Sequence, residues 1–350
     1  MRRITPAGVR TVSLPATPPP ARSNDRRLFA PARVLVDGIT IESGCLRCPD
    51  TPCVKFGQDE LNAPVVIPTP IAPDASVCPT GAIRADPAGT PTVDPERCIG
   101  CGLCAARCPV AAIHLDPRSG VAVVAPAQGD SYVPTPYDPV AFPIDRATLG
   151  ASFVEEAPPF EDADQVATQL LRLDRAMMSA ADAQGVFRLL ARNTFLSIGL
   201  PARLKNVGDN NAFGELAVGD AGRVLVIEVE SRGDVLDALR RVLAGVAVVR
   251  SRYGLDPGAV VPCVVVRRLP NERVDYYRVL SDAAARIGVE VRTLPIGLLL
   301  LGIRSHDRAL LDMINEQGIL DEEQPSLGDA ARDRWGPIAS AHRLGLAPDK

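Results

Sequence analysis

Aromatic residues make up only 4% of this 350-residue chain, which has three histidines and one tryptophan, Trp335. A core with so few rings must be built from Val, Leu, Ile and Ala, and the 46% apolar content can supply it. The scarcity of histidine leaves little material for His-centred acid–base catalysis. No apolar run is long enough to span a bilayer, the strongest being residues 296–303 (IGLLLLGI). Also missing are a Walker loop, a GxGxxG after a strand, a GxSxG elbow and an HExxH helix. The first residues carry positive charge without the apolar stretch of a secretory signal, so the expected compartment is the cytoplasm, with no membrane partner. A net charge of −4 argues against bulk attraction to nucleic acid or an anionic surface.

Cysteine is plentiful. Eight of the nine lie between Cys45 and Cys108. In a cytoplasmic chain such a cluster points to metal or redox chemistry more than to disulfides. Cys263 stands apart in an apolar run, VVPCVVV, and reads as a small buried hydrophobe.

Residues 98–109 read CIGCGLCAARCP: Cys98, Cys101 and Cys104 at successive two-residue intervals, then Cys108 followed by Pro109. This is the bacterial ferredoxin run. Each iron of a cubane needs one thiolate, and three thiolates on one tight loop reach three corners. The fourth, on the following helix, points toward a neighbouring cluster. Gly100 and Gly102 let the loop close around the inorganic core. Zinc is the competing occupant, but structural zinc sites pair two Cys knuckles across a longer spacer, and three cysteines at short intervals fit that poorly. Upstream lies a looser version: Cys45, Cys48 and Cys53, then Cys78-Pro79. CPTGAI from Cys78 repeats as CPVAAI from Cys108.

This duplicated pattern resembles the two halves of dicluster bacterial-type ferredoxins over residues about 33–125, within a cysteine-rich domain read as 31–125. The resemblance implies an α+β ferredoxin-like domain with two [4Fe-4S] clusters, a low-potential electron relay and a redox partner protein. Its crossed ligation implies Cys98, Cys101, Cys104 and Cys78 for one cluster, and Cys45, Cys48, Cys53 and Cys108 for the other. Two spacings depart from the family. Four residues separate Cys48 from Cys53, and 24 separate Cys53 from Cys78. The second departure implies an excursion that loops out, and a three-iron [3Fe-4S] upstream centre stays open. So does retention of Cys78 by its own half. His114, after the second repeat, reads as a residue of the closing strand and not as a ligand.

The rest of the chain divides by composition. Residues 1–30 lack periodicity and read as disordered, 126–165 as a Pro-rich acidic linker, 166–320 as an α/β domain and 321–350 as a polar tail. A strand pair is expected around VLVDGITI, with its turn at Asp37-Gly38. In the α/β domain the pattern predicts a helical region over 163–193 and strands over 202–207, 212–219 and 223–230. Asp234 caps a helix to about 252, with Leu236, Leu239, Leu243 and Val246 on its buried face. A buried strand from 260, a helix over 272–287 and a strand over 289–294 follow. The fold class is thus a mixed central sheet flanked by helices.

That order resembles the restriction-endonuclease-like PD-(D/E)xK core. The resemblance implies catalytic carboxylates at Glu215, Glu228 and Glu230, with Asp209 or Asp220 as alternatives to Glu215, and Mg²⁺-dependent cleavage of DNA. Glu228 and Glu230 share a strand face, opposite Leu225, Ile227 and Val229. Three carboxylates suit Mg²⁺, although Glu230 stands where the family motif has lysine. Two functions of different class follow: an iron–sulfur electron carrier with a partner-docking C-terminal domain, or a nuclease with structural or redox-sensing clusters. An inactive interaction protein is the third.

Overall fold

The protein is described from a computed structural model. The structure describes residues 28, 33–36, 39–42, 44–45, 47–48, 50–67, 74–108, 112–126, 163–205, 214–231, 233–305, 314, 327–328, 330–331 and 344–348. The expected turn at Asp37-Gly38, Pro109, Asp209, Trp335, nearly all of the amino-terminal stretch and the body of the linker lie outside them. The chain divides into two compact units: residues 1–56 with 76–160, and residues 57–75 with 161–350.

The first unit is a set of two-stranded ladders. Strands β1 (Arg33–Val36) and β2 (Ile39–Glu42) pair antiparallel. The two halves of the cysteine repeat then build the same object twice. Strand β3 (Ile83–Ala85) pairs with β4 (Pro91–Val93), and β5 (Ile113–Leu115) pairs with β6 (Ala122–Val124). Each hairpin turns on an Asp-Pro step. Asp86 accepts the N–H groups of Ala88 and Thr90, and Asp116 those of Arg118 and Ser119. The short side chain satisfies turn donors that would otherwise face only water. Ile83 and Ile113, at matching places in the repeat, are both buried.

A further tie joins the halves. Arg107 is buried at the end of the short helix α2 (Leu103–Ala106). Its Nε donates to the Pro52 carbonyl at 2.8 Å, and its guanidinium lies 4.2 Å from the Phe56 ring centroid. An arginine stripped of water needs both kinds of contact.

The second unit begins inside the first. The chain leaves the cysteine-rich unit after Phe56 and returns to it at Ser76, and a bridge joins Lys55 to Ser76. Residues 57–75 hold the one-turn helix α1 (Gln58–Asn62), whose Leu61 is buried, and Ile67, which is 1% exposed. The excursion that the ferredoxin resemblance implies is therefore part of the core of the other unit.

That unit has a five-stranded sheet in the order β11-β10-β9-β8-β7, with β7 at Ala202–Leu204, β8 at Leu216–Asp220, β9 at Arg223–Glu230, β10 at Val260–Val266 and β11 at Arg292–Pro295. The first three strands are antiparallel and the last two parallel, joined through helices α5 (Val235–Tyr253) and α6 (Tyr276–Ile287). Arg203, on β7, donates to the carbonyls of Asn62 and Ala63, and the backbone of Pro64 and Val65 lies over Gly219. Residues 62–65 thus lie against β7 and β8.

Several expectations change. The helical region predicted over 163–193 is two helices, α3 (Ala163–Ser179) and α4 (Ala183–Ser197), and Asp182 caps the second by accepting from Gly185 N–H. On α5, Asp234 is the N-cap as expected, but the buried face is Val235, Ala238, Leu239, Val242, Val246 and Val249, leaving Leu236 and Leu243 half-buried. Residues 296–305 form α7 (Ile296–Ser305), buried from Ile296 to Ile303. The tail expected to be polar contributes Leu327, Ala331, Leu344 and Leu346 to the core, with Leu269 N–H donating to the Gly345 carbonyl. No helix among the described residues is long and apolar enough to cross a membrane.

Helix α3 is held to the end of β10 by Asp174, which accepts from Arg267 Nε at 2.9 Å and Arg268 Nη2 at 2.7 Å. Burial would raise this carboxyl, but the two guanidinium groups outweigh it and hold it below the usual range. A depressed carboxylate contributes stability above its unfolded pKa and loses it as pH falls through the folded one. Asp174→Asn is therefore expected to cost about 1 kcal/mol at neutral pH, since the pair is partly exposed. The deficit should close in acid, as read by denaturant unfolding across pH.

Candidate iron–sulfur centres

The loop after β4 turns twice through conformations that favour glycine, at Gly100 (φ 70°) and Gly102 (φ 83°). This curls Cys98, Cys101 and Cys104 around one concave space, where Cys78 joins them from the other half. A second space is lined by Cys45, Cys48, Cys53 and Cys108. Both spaces are partly open to solvent and are walled by their cysteines and by apolar residues. Among the described residues, no three or more His, Cys, Asp or Glu side chains converge as the ligands of a single metal ion.

The electrostatics follow the same crossed grouping. Burial, then the charge of Cys108, push the Cys48 thiol up to about 12. Cys53 is raised by burial and again by Cys108. Cys101 and Cys104 are raised by burial and feel Cys78 in turn. Thiols raised in this way ionise only beside a compensating cation, and all-sulfur donors select soft metals or iron–sulfur clusters.

Backbone donors point at the sulfurs. Ala82 N–H lies 3.2 Å from Cys78 Sγ and Ala112 N–H lies 3.1 Å from Cys108 Sγ, at the same four-residue offset in both repeats. Arg47 N–H approaches Cys45 at 3.4 Å and Ala122 N–H approaches Cys98 at 3.5 Å. Such bonds hold negative charge on a cluster and tune its potential. His114 sits mid-strand on β5, opposite Val123. Cys263 is fully buried in β10, where burial pushes its thiol up to about 12.

Residues 91–114 match the family of 4Fe-4S binding domains. The chain carries a ferredoxin-type iron–sulfur segment. The thiosulfate reductase electron transfer subunit of Salmonella typhi is 53% identical over 51 residues, covering 15% of this chain and 27% of that protein. An uncharacterized ferredoxin of Methanocaldococcus jannaschii is 36% identical over 83 residues, covering 24% of this chain and 39% of its own length. The polyferredoxin-like subunit of an aliphatic sulfonate oxidoreductase of Pyrococcus furiosus is 33% identical over 76 residues, covering 21% and 32%. The chain thus spans well under half the length of these relatives. No solved structure matches it.

Of the three candidate carboxylates of the second unit, Glu228 and Glu230 share one arginine inside the protein, and the three do not converge as the ligands of a metal ion. Glu228 is 4% and Glu230 8% exposed, because every residue from Val224 to Glu230 is buried and both faces of the strand are covered. Arg241 of α5 donates from Nε to Glu228 at 2.9 Å and lies 3.6 Å from Glu230. Its guanidinium supplies the positive charge that the nuclease resemblance assigns to Mg²⁺. Glu215 accepts from Gln184 Nε2 and from Val229 N–H, each at 3.2 Å, and Arg188 stands 3.9 Å away. Burial raises both Glu215 and Glu228; their mutual repulsion adds to the rise at Glu228, against Arg241 and Lys205. Asp220 pairs instead with Arg223 at the β8–β9 turn. Gln184, which also donates to the Val229 carbonyl and accepts from Ser231, went unnoticed in the sequence because a lone helical glutamine carries no signal.

Proposed function

We propose that the cysteine-rich unit binds two [4Fe-4S] clusters and relays single electrons to and from a redox partner protein. Cys78, Cys98, Cys101 and Cys104 would hold one cluster, and Cys45, Cys48, Cys53 and Cys108 the other. The observation that carries this reading is the crossing itself: each concave space takes three cysteines from one half of the repeat and the fourth from the other. The clusters supply the one-electron chemistry. The chain's own residues space the thiolates, aim N–H groups at them and exclude water around Cys45, Cys53, Cys101 and Cys108, all buried. The naming of the relatives as electron-transfer or polyferredoxin-like subunits supports a carrier that works beside another protein.

Iron and acid-labile sulfide analysis of anaerobic protein tests the reading. About eight of each per chain is expected; about seven iron would instead fit a three-iron upstream centre. A colourless protein holding zinc would overturn it.

The element order and the approach of Glu215 to Glu228 support a second reading, in which the other unit is a Mg²⁺-dependent nuclease. Arg241 would then have to move aside, and its side chain is 41% exposed. Mg²⁺-dependent cleavage of DNA by the wild type, abolished in Glu228→Ala, is the expected result; no cleavage of any DNA form removes this reading.

A further inference from the structure

We propose that the Thr80 hydroxyl is a hydrogen-bond donor to the Cys78 sulfur that sets the two clusters apart in reduction potential, raising the one that Cys78 serves. The proposal rests on the cluster binding read above. Thr80 Oγ1 lies 3.4 Å from Cys78 Sγ and 2.7 Å from the Arg97 carbonyl. The hydroxyl has one proton and two acceptors. A cysteine that ligates iron has given up its own proton, so its sulfur can then only accept. The carbonyl takes the proton at the shorter distance, and the one hydrogen bond open between Thr80 and a ligating Cys78 is Thr80 O–H to sulfur, shared with that carbonyl. Reduction adds negative charge to the cluster, and a donor at one of its sulfurs stabilises the reduced state more than the oxidised one.

The repeat supplies an internal comparison. Aligning CPTGAI with CPVAAI places Thr80 against Val110, which has no hydroxyl. The backbone donors at this place are the same in both halves, Ala82 to Cys78 and Ala112 to Cys108, within 0.1 Å of each other (3.2 and 3.1 Å). What differs is the hydroxyl. The competing acceptor is itself informative: Arg97 precedes Cys98, a ligand of the same cluster, and its Nη2 donates back to the Thr80 carbonyl. Thr80 therefore bonds both to the Cys78 sulfur and to the loop that carries Cys98, and it can act as a donor or only as a clamp. The two roles give different results on substitution.

The test is an anaerobic redox titration of the full chain followed by EPR, with iron and sulfide measured on every sample. Thr80→Val keeps the shape and removes the hydroxyl. With iron at the wild-type level, the one-electron reduction constant of one cluster is expected to fall three- to tenfold, about 30–60 mV at 59 mV per tenfold, and the other to stay put. Thr80→Ser is expected to retain the wild-type value. Unchanged midpoints with full iron content would overturn the proposal, and so would equal shifts in both clusters or a Thr80→Ser shift as large as that of Thr80→Val. Loss of iron from Thr80→Val alone would make Thr80 a clamp between the loops and overturn it also. If the wild type itself lacks iron and sulfide, the failure lies with cluster binding.

Discussion

Cys108→Ser is expected to remove the cluster held with Cys45, Cys48 and Cys53, and to spare the one held by the three cysteines immediately before it in sequence. The serine oxygen is a poor substitute for a thiolate at iron. The structure sets Cys108 in the wall of the upstream space and Cys78 in that of the downstream one. Iron should fall from about eight to about four per chain, and any EPR coupling between two reduced clusters should collapse to the signal of one. Cys78→Ser is the mirror experiment. If Cys108→Ser instead lost the cluster of Cys98, Cys101 and Cys104, each half would hold its own fourth cysteine and the crossed assignment would fail.

Ile67→Ala, in the stretch between Cys53 and Cys78, is expected to destabilise the unit that holds the five-stranded sheet. Ile67 is 1% exposed, and removing a fully buried isoleucine to alanine costs about 2–5 kcal/mol from lost transfer energy and the cavity left behind. The loss should appear in denaturant unfolding and as weaker hydrogen-exchange protection at β7 and β8, where Asn62, Ala63, Pro64 and Val65 lie. Iron content at low temperature should be unchanged. A cost below about 0.5 kcal/mol, or one confined to the cysteine-rich unit, would show that residues 57–75 are no part of that core.

The iron–sulfur segment was legible because its chemistry is local: three thiolates, two glycines and a short helix within a dozen residues leave little freedom. The repeat exposed Cys78 and Cys108 as counterparts for the same reason. The order of strands and helices after residue 200 was also readable, since β9 and β10 are long, branched and apolar. What sequence pattern missed was set by tertiary burial. IGLLLLGI has no polar face, so its helix has no period to detect. Leu236 and Leu243 match a helical period as well as Val235 and Val242 do, and only the position of the sheet chooses between them. Alternation puts Glu228 and Glu230 on one strand face, but it does not tell that this face is covered or that Arg241 reaches them from another element. Residues 57–75 looked like a loop because their partners are distant in sequence.

That last feature bears on how the protein is made. Strand β7, whose Arg203 holds the carbonyls of Asn62 and Ala63, is synthesised roughly 130 residues later, a wait of roughly 6–25 s at translation speeds of about 5–20 residues per second. Through that interval Leu61 and Ile67 have no sheet to pack on, and all eight cysteines of the repeat are made before β7 is. The order of synthesis thus completes the cysteine set before the sheet that residues 62–65 lie against can form.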